Sequence, residues 1–265
     1  MSTAVEAVKA QVVKNEGSKT INDLIFSYAN EFSKVLPKHI TPERICRVAL
    51  TNYKLNPKLA ECTSTSLIAA LFQSAQLGLE PGVSGQAYLI PYFNSKTRKM
   101  EVQFQIGYKG LVELFYRGSN ASTISVEKVC KNDTFDYELG SEGFIKHKPS
   151  LSNRGEVIAY YAIATFKNGD KIFKIMSKEE CLEHGKTHSK MFDKKTQAFT
   201  GVWATETDAM CMKTVLIQLM KVVPKSIEIQ QALAYDGTTK NKVSVDMMSV
   251  NDVTDWETEK GNDNE

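Results

Sequence analysis

The chain has 265 residues, of which 42% are hydrophobic and 9% aromatic, so it is long enough to bury a substantial core. Its five cysteines are scattered without a CxxC pair, which favours a reducing compartment over a disulfide framework. No run approaches the ~18 apolar residues of a membrane span, and no apolar signal segment is evident, so we expect a cytoplasmic protein.

The net charge of +2 is distributed unevenly. Residues 236–265 hold eight acids and three lysines, so this segment carries −5 and residues 1–235 carry +7. A basic body with an acidic segment is typical of proteins that bind polyanions, because the acidic segment competes for the basic surface or recruits a basic partner. A solubilising tail is the alternative. We divide the chain into a leader and first helix (1–35), a core (36–235) and an acidic flexible tail (236–265).

The first third of the chain shows three helical patterns. Apolar residues at helical spacing predict a helix over residues 21–35. Thr41 and Pro42 form a favoured N-cap and first-turn pair for the next helix. A strongly apolar face predicts a third helix over residues 64–77, which Gly78 ends.

The following segment combines a β-hairpin, a basic turn and an amphipathic helix. Residues 101–106 alternate between apolar and polar side chains, as a half-buried strand does, and residues 109–117 have helical spacing. Gly107 and Gly110 flank a Tyr-Lys pair and allow a backbone to approach a ligand closely. Cations beside exposed aromatic residues suit a nucleic-acid strand, whereas an ordinary solvated surface turn is the alternative.

The second half of the chain is predicted to contain antiparallel strands followed by helices. The strands are expected over residues 123–130, 156–166 and 171–176, with an Asn-Gly turn between the last two. A capping box at Ser177 and Glu180 opens a short helix that is expected to end at Gly185.

Residues 187–200 have no period and are interpreted as a mobile loop. Two further helices are expected over residues 203–220 and 227–235. Helices first, strands in the middle and helices last predict an α+β fold, with a central, mainly antiparallel sheet flanked by helices.

A nucleotide-binding P-loop is incomplete in this chain. Residues 185–187 read GKT, but the glycine that the motif requires five positions earlier is Glu180. A predicted helix also precedes the triplet where a strand is needed. We therefore expect no ATP binding.

Two groups of residues have the composition of metal sites. Cys181, His184 and His188 have the spacing of zinc ligands, but a structural zinc site normally has a fourth ligand, so we interpret the histidines as contacts to phosphate or water. An acidic set is interpreted as a solvated loop, with weak Mg²⁺ binding as an alternative: Asp133, Asp136, Glu138 and Glu142. We expect no other cofactor and no enzymatic activity.

Six phrases, in order, resemble the RecT/Redβ single-strand annealing recombinases of phages and prophages over residues 36–226. They are SLIAALFQSAQLGLEPG, GQAYLIPY, QIGYKGLVEL, HKP, YYAIATFKNG and MKTVLIQLMKVVPKS. The resemblance implies a RecT/Redβ-like core that coats single-stranded DNA without ATP and pairs it with a complementary strand. It also implies a homo-oligomer, as a ring or helical filament, in the bacterial cytoplasm, with a partner 5′→3′ exonuclease. The acidic tail is interpreted as a tether for that nuclease or for the host single-strand binding protein.

A protein that pairs any two complementary strands must hold phosphates, including those of the annealed duplex, and leave base edges free. Aromatic side chains can stack on the bases, although burial in the core is the alternative role for them. The predicted DNA contacts are Arg98, Lys99, Tyr108, Lys109, Arg117, Lys146, His147, Lys148, Lys186, Lys190, Phe192, Trp203, Lys213 and Lys221. Two other functions stay open: a plain single-strand binder that only protects DNA, and a metal-dependent nuclease or a thiol hydrolase that uses Cys181.

Overall fold

The structure is a computed structural model that describes residues 20–118, 121–189, 191–223, 226–240, 242–244 and 246–250. Its helices are α1 (Ile21–Ser27), α2 (Ala29–Ser33), α3 (Pro42–Leu55), α4 (Ser64–Leu77), α5 (Tyr108–Gly118), α6 (Lys178–His188), α7 (Gly201–Thr205), α8 (Thr207–Met220) and α9 (Ile227–Tyr235). Its strands are β1 (Ala87–Asn94), β2 (Lys99–Ile106), β3 (Ala121–Cys130), β4 (Thr134–Glu138), β5 (Phe144–Lys148), β6 (Val157–Phe166), β7 (Lys171–Ser177), β8 (Phe192–Asp193), β9 (Ala198–Phe199) and β10 (Thr238–Thr239). Helices and small antiparallel sheets together confirm the α+β class.

These elements form two compact units. The described residues of Met1–Leu114 and Ile227–Glu265 form unit 1, and those of Phe115–Ser226 form unit 2. The sequence suggested one core over residues 36–235. Two separate sets of packed residues occupy that range instead, because the chain returns to unit 1 only at α9.

Helix α4 is the centre of unit 1. The Thr63 side chain caps its first turn, and Gly78 ends it in the left-handed region at a φ of 59°, as predicted. Phe72 of α4 contacts Phe32, with ring centroids 4.7 Å apart. The helix predicted over residues 21–35 is divided into α1 and α2 at Tyr28, whose ψ of 1° is not helical.

Strand β2 lies between β1 and β10 in the sheet of unit 1. Thr238 of β10 pairs with Phe104 of β2, and the Asp236 carboxylate accepts a hydrogen bond of 2.8 Å from the Ile106 amide. Met247 is buried. The tail predicted from residue 236 is therefore wrong for the described residues up to 250, which pack into unit 1; residues 251–265 lie outside the described chain.

Unit 2 contains the sheet β3-β6-β7, on which α8 packs. The predicted capping box is present: the Ser177 hydroxyl accepts from the Glu180 amide at 3.0 Å, and the Glu180 carboxylate accepts from the Ser177 amide at 2.7 Å. Helix α6 continues past the expected end at Gly185, since this glycine lies inside the helix against Trp203.

Two further segments of unit 2 differ from the prediction. The segment expected as a mobile loop forms the β8–β9 hairpin, in which the Phe192 and Phe199 rings meet edge to face with centroids 5.1 Å apart. The helix expected over residues 203–220 is interrupted at Glu206, which separates α7 from α8. The β4–β5 hairpin was not predicted.

Candidate nucleic-acid interface

The β4–β5 hairpin places two of the predicted lysines on one exposed face. Side chains alternate along a strand, so Lys146 and Lys148 point to the same side of β5 and His147 points to the other. Both lysines are exposed. The Lys146 ammonium lies 5.0 Å from the centre of the Phe144 ring, and Asp136 is its cross-strand neighbour. This face presents two cations and an aromatic ring, together with the exposed carboxylates of Asp136 and Glu138 on β4.

The opposite face of the hairpin holds a buried polar network. Only 5% of the His147 side chain is exposed, and its ring nitrogens lie 3.2 Å from the Asp133 carboxylate and 3.2 Å from the Tyr161 hydroxyl. The predicted contact of His147 with phosphate is therefore wrong in this structure. Because the buried ring is already hydrogen-bonded at both nitrogens, its role is to attach β5 to β6.

Asp133 is the centre of that network, and its side chain has 0% exposure. Its two oxygens accept hydrogen bonds from the Arg154 guanidinium at 3.0 and 2.6 Å, and from the amides of Cys130 and Ser150. The Arg154 hydrogen bonds hold the pKa of this carboxyl well below its usual range. The prediction that Asp133 belongs to a solvated acidic loop is wrong.

In unit 1, a turn over residues 81–86 packs tightly on the start of α5. A Cβ on Gly107 or Gly110 would fall well inside contact distance of the carbonyl oxygens of Gly85 and Gln86. The Gly107 amide donates to Gln86 O at 2.9 Å. These two glycines thus permit the close approach of the chain to itself, whereas the sequence suggested the close approach of a ligand.

Tyr88 and Lys109 flank the same turn. A Cβ on Gly85 would lie 3.1 Å from the Tyr88 hydroxyl and 3.7 Å from Lys109 Cδ, so both side chains border this glycine. Tyr88 is 45% exposed, and Lys109 is exposed. The aromatic contact predicted here, Tyr108, is half-buried. Tyr88 was not predicted, although its alternation with buried Ala87 and Leu89 marks it as an outward residue of β1.

The outer face of the β1–β2 hairpin is polar and aromatic. Cross-strand pairs place Tyr88 opposite Gln105 and Ile90 opposite Gln103, while Phe104 on the other face is buried. Of the predicted cations, Arg98 lies in the turn that joins the strands and Lys99 begins β2; both are exposed. In α5, the predicted contact Arg117 is also exposed.

The helices of unit 2 divide the remaining predicted residues into exposed and buried sets. Lys221 is exposed, and Lys186 is half-buried with an ion pair to Glu183. Lys213 retains only 6% exposure and Trp203 only 4%. The prediction that Lys213 and Trp203 contact DNA is therefore wrong in this structure, because buried side chains do not reach a DNA strand.

Trp203 belongs to an aromatic stack that supports the β8–β9 hairpin. Its ring lies 4.9 Å from that of Phe199, at an interplanar angle of 14°, and it packs on Gly185. Phe192 is half-buried beside Phe199. The turn between β8 and β9 carries the exposed residues Lys194 and Lys195, which are not among the predicted DNA contacts. Lys190 lies outside the described residues.

The thiol of Cys181 is buried and hydrogen-bonded to Cys211. Its pKa is raised by a hydrogen bond with Cys211 of α8 and by burial, so it is a poor nucleophile and metal ligand. Within the residues that the structure describes, no group of three or more His, Cys, Asp or Glu side chains is arranged to hold a metal ion. The zinc trio considered from the sequence is therefore not assembled.

The comparisons identify the family of the chain. A model described as the RecT family matches residues 43–248. The chain is 33% identical over 241 residues to "Protein RecT" of Escherichia coli (strain K12), covering 86% of this chain and 87% of that protein. It is 26% identical over 222 residues to "Uncharacterized protein YqaK" of Bacillus subtilis (strain 168), covering 83% of this chain and 72% of that protein.

The α+β fold and the family match define a DNA-binding protein of phage-type recombination and strand annealing. The chain belongs to the RecT family, which confirms the resemblance seen in its sequence. The matched region extends past residue 235, in agreement with the packing of β10 and Met247 into unit 1. No helix among the described residues is long and apolar enough to cross a membrane.

Proposed function

We propose that this protein binds single-stranded DNA through its exposed cations and anneals it to a complementary strand without ATP, as a homo-oligomeric ring or helical filament. It acts as a binding protein and not as an enzyme, in the bacterial cytoplasm. The proposal depends mainly on one observation: Lys146 and Lys148 are exposed at alternate positions of β5, on the outer face of the β4–β5 hairpin. Phosphates are held there from one side, so base edges stay free.

The basic surface of unit 1 supports the same function. Arg98, Lys99 and Lys109 are exposed, and Tyr88 supplies an aromatic surface beside Lys109. Phosphate contacts with flanking aromatic side chains are the usual means of binding a single strand without reading its sequence. Base pairing then supplies the free energy of annealing, so no nucleotide cofactor is part of the proposal, and Mg²⁺ is at most weakly bound.

Annealing of two labelled complementary oligonucleotides in the absence of ATP tests this function. The protein is expected to accelerate the loss of donor fluorescence over the protein-free rate, and the acceleration should persist in EDTA. A protein that binds one strand but slows pairing is a protective single-strand binder. Strand shortening in Mg²⁺ would identify a nuclease, and either result would refute the proposal.

The proposed partners are the 5′→3′ exonuclease and the host single-strand binding protein. Residues 251–265 include six acids and one lysine, which suit a basic partner surface. Because the described residues up to 250 pack into unit 1, removal of residues 251–265 is the appropriate truncation. It should leave annealing of naked oligonucleotides intact and weaken co-purification of these partners; loss of annealing would assign the segment to the core function.

A further inference from the structure

The C-terminal ends of α6 and α8 bring two histidines and a lysine together in unit 2. The rings of His184 and His188, one helical turn apart, have centroids 4.4 Å from each other. The Gln218 side-chain nitrogen lies 3.0 Å from His184 Nε2, so the amide donates to an unprotonated ring nitrogen. Lys221, the C-cap of α8, is exposed and close enough for its charge to act on His184.

The charges that act on His184 are positive, whereas the nearby Glu180 carboxylate of α6 is hydrogen-bonded to the Ser177 amide. Burial, together with the charges of His188 and Lys221, lowers the pKa of His184. Lys186 on the same helix is neutralised by its ion pair with Glu183. Strand β7, which also packs on α6, carries Lys171 and Lys174, and neither is among the charges that act on the His184 ring. An anion from outside the protein would therefore stabilise a protonated ring pair.

We propose that His184, His188 and Lys221 form a site for one phosphodiester of single-stranded nucleic acid, and that binding there is coupled to proton uptake. This inference rests on the proposed function, since it names a site and a regulation for the same DNA strand. The phosphate supplies the negative charge that the cluster lacks, and the imidazolium N–H groups donate to its oxygens. His188 lies in the last turn of α6, where the helix dipole also favours a cation.

The dependence on pH has a definite sign. At neutral pH the phosphate meets Lys221 and the partial negative charge of two helix C-termini, so the site is weak. An anion beside the two rings favours their protonated forms, so DNA binding takes up protons and affinity rises as the pH falls. Neutralisation of one phosphate by an imidazolium steepens the slope of log K against log salt by about 0.7. This change corresponds to about fivefold tighter binding at ~0.1 M salt.

Fluorescence anisotropy with a labelled thymidine homopolymer, at constant ionic strength from about pH 5.5 to about pH 8, tests the proposal. The full chain is expected to bind about fivefold tighter at the acid end and to show a steeper salt slope there. The double variant His184→Gln with His188→Gln is expected to lose this pH dependence and the change in salt slope.

The chain offers a matched control, because it contains four histidines. His39→Gln changes an exposed histidine of unit 1 and should preserve the wild-type pH dependence. His184 is half-buried and bonded to Gln218, so the single variant His188→Gln at an exposed position provides a second test if the double variant melts early. It should lose about half of the pH effect, on a logarithmic scale, with unchanged thermal stability.

The outcomes separate the two proposals. Annealing with a DNA affinity that is constant across the pH range would refute the proton-coupled site and leave the proposed function intact. A wild-type pH dependence in both histidine variants would also refute the site, because the protons would then be taken up elsewhere. No DNA binding at any pH would refute both.

Discussion

Neutralising the outer face of the β4–β5 hairpin is the most direct test of how this protein holds DNA. The double variant Lys146→Gln with Lys148→Gln removes two exposed charges and keeps side chains of similar length. His147, between them, remains in its network with Asp133 and Tyr161, so the hairpin should stay attached to β6. The variant is therefore expected to fold normally and to bind DNA less tightly.

The magnitude follows from the number of phosphates that are released. On a single strand, each neutralised phosphate contributes about 0.7 to the slope of log K against log salt. Loss of two contacts should reduce the slope by about 1.4, which corresponds to a loss of about 25-fold in affinity at ~0.1 M salt. The loss should be similar for oligonucleotides of different sequence, because phosphates carry no sequence information.

Titration of a labelled oligonucleotide at several salt concentrations measures both quantities. Lys34→Gln serves as the matched control, since Lys34 is exposed in unit 1 and its ammonium lies 2.7 Å from the Glu31 carboxylate. An unchanged salt slope in the hairpin variant, with the wild-type melting temperature, would show that this face does not contact DNA. A loss confined to particular DNA sequences would contradict the phosphate mechanism.

Three further variants test the packing around the candidate interface. Lys213→Ala should lower the urea midpoint of unfolding and leave the salt slope of DNA binding unchanged, because the side chain is buried; a reduced slope would restore it as a phosphate contact. The ionised Asp133 carboxylate stabilises the folded state above about pH 4, and this contribution is lost as the pH falls towards its lowered pKa. The free energy of unfolding of Asp133→Asn, measured in urea, should therefore depend less on pH below about pH 4 than that of the wild type. Gly110→Ala gains about 1 kcal/mol of helix propensity but places a Cβ against the Gln86 carbonyl. The steric strain should cost about 1–3 kcal/mol and lower the urea midpoint of unfolding; a raised midpoint would contradict this packing.

Elements with a strong local signal were predicted well. The bounds of α4 were correct because its apolar side chains and the left-handed glycine that ends it are encoded within consecutive residues. The capping box of α6 is local for the same reason. The β4–β5 hairpin was missed, since its strands are short and it is stabilised by non-local contacts such as Phe135 against Tyr161, with ring centroids 5.8 Å apart.

The basic clusters were found from the sequence, but the role of each residue within them was not. Lys146, His147 and Lys148 are consecutive, and only the strand alternation of β5 shows that the two lysines are exposed and the histidine is buried. Lys213 lies within α8 and Lys221 is its C-cap, and only the packing of the helix shows that Lys213 is buried. The excess of basic residues indicates binding to a polyanion, whereas the burial of each side chain determines which of these cations can contact it.

The sequence by itself determined the α+β class, the capped helices, the family and the excess of basic residues before position 236. Those properties depend on local spacing, residue type and the order of short phrases, all of which are present in the chain as written. The tertiary structure decided the two units, the return of β10 to the side of β2, and the neighbours of Asp133 and His184. These features depend on contacts between residues far apart in the chain. Such contacts form, and stabilise the protein, only when the chain is folded.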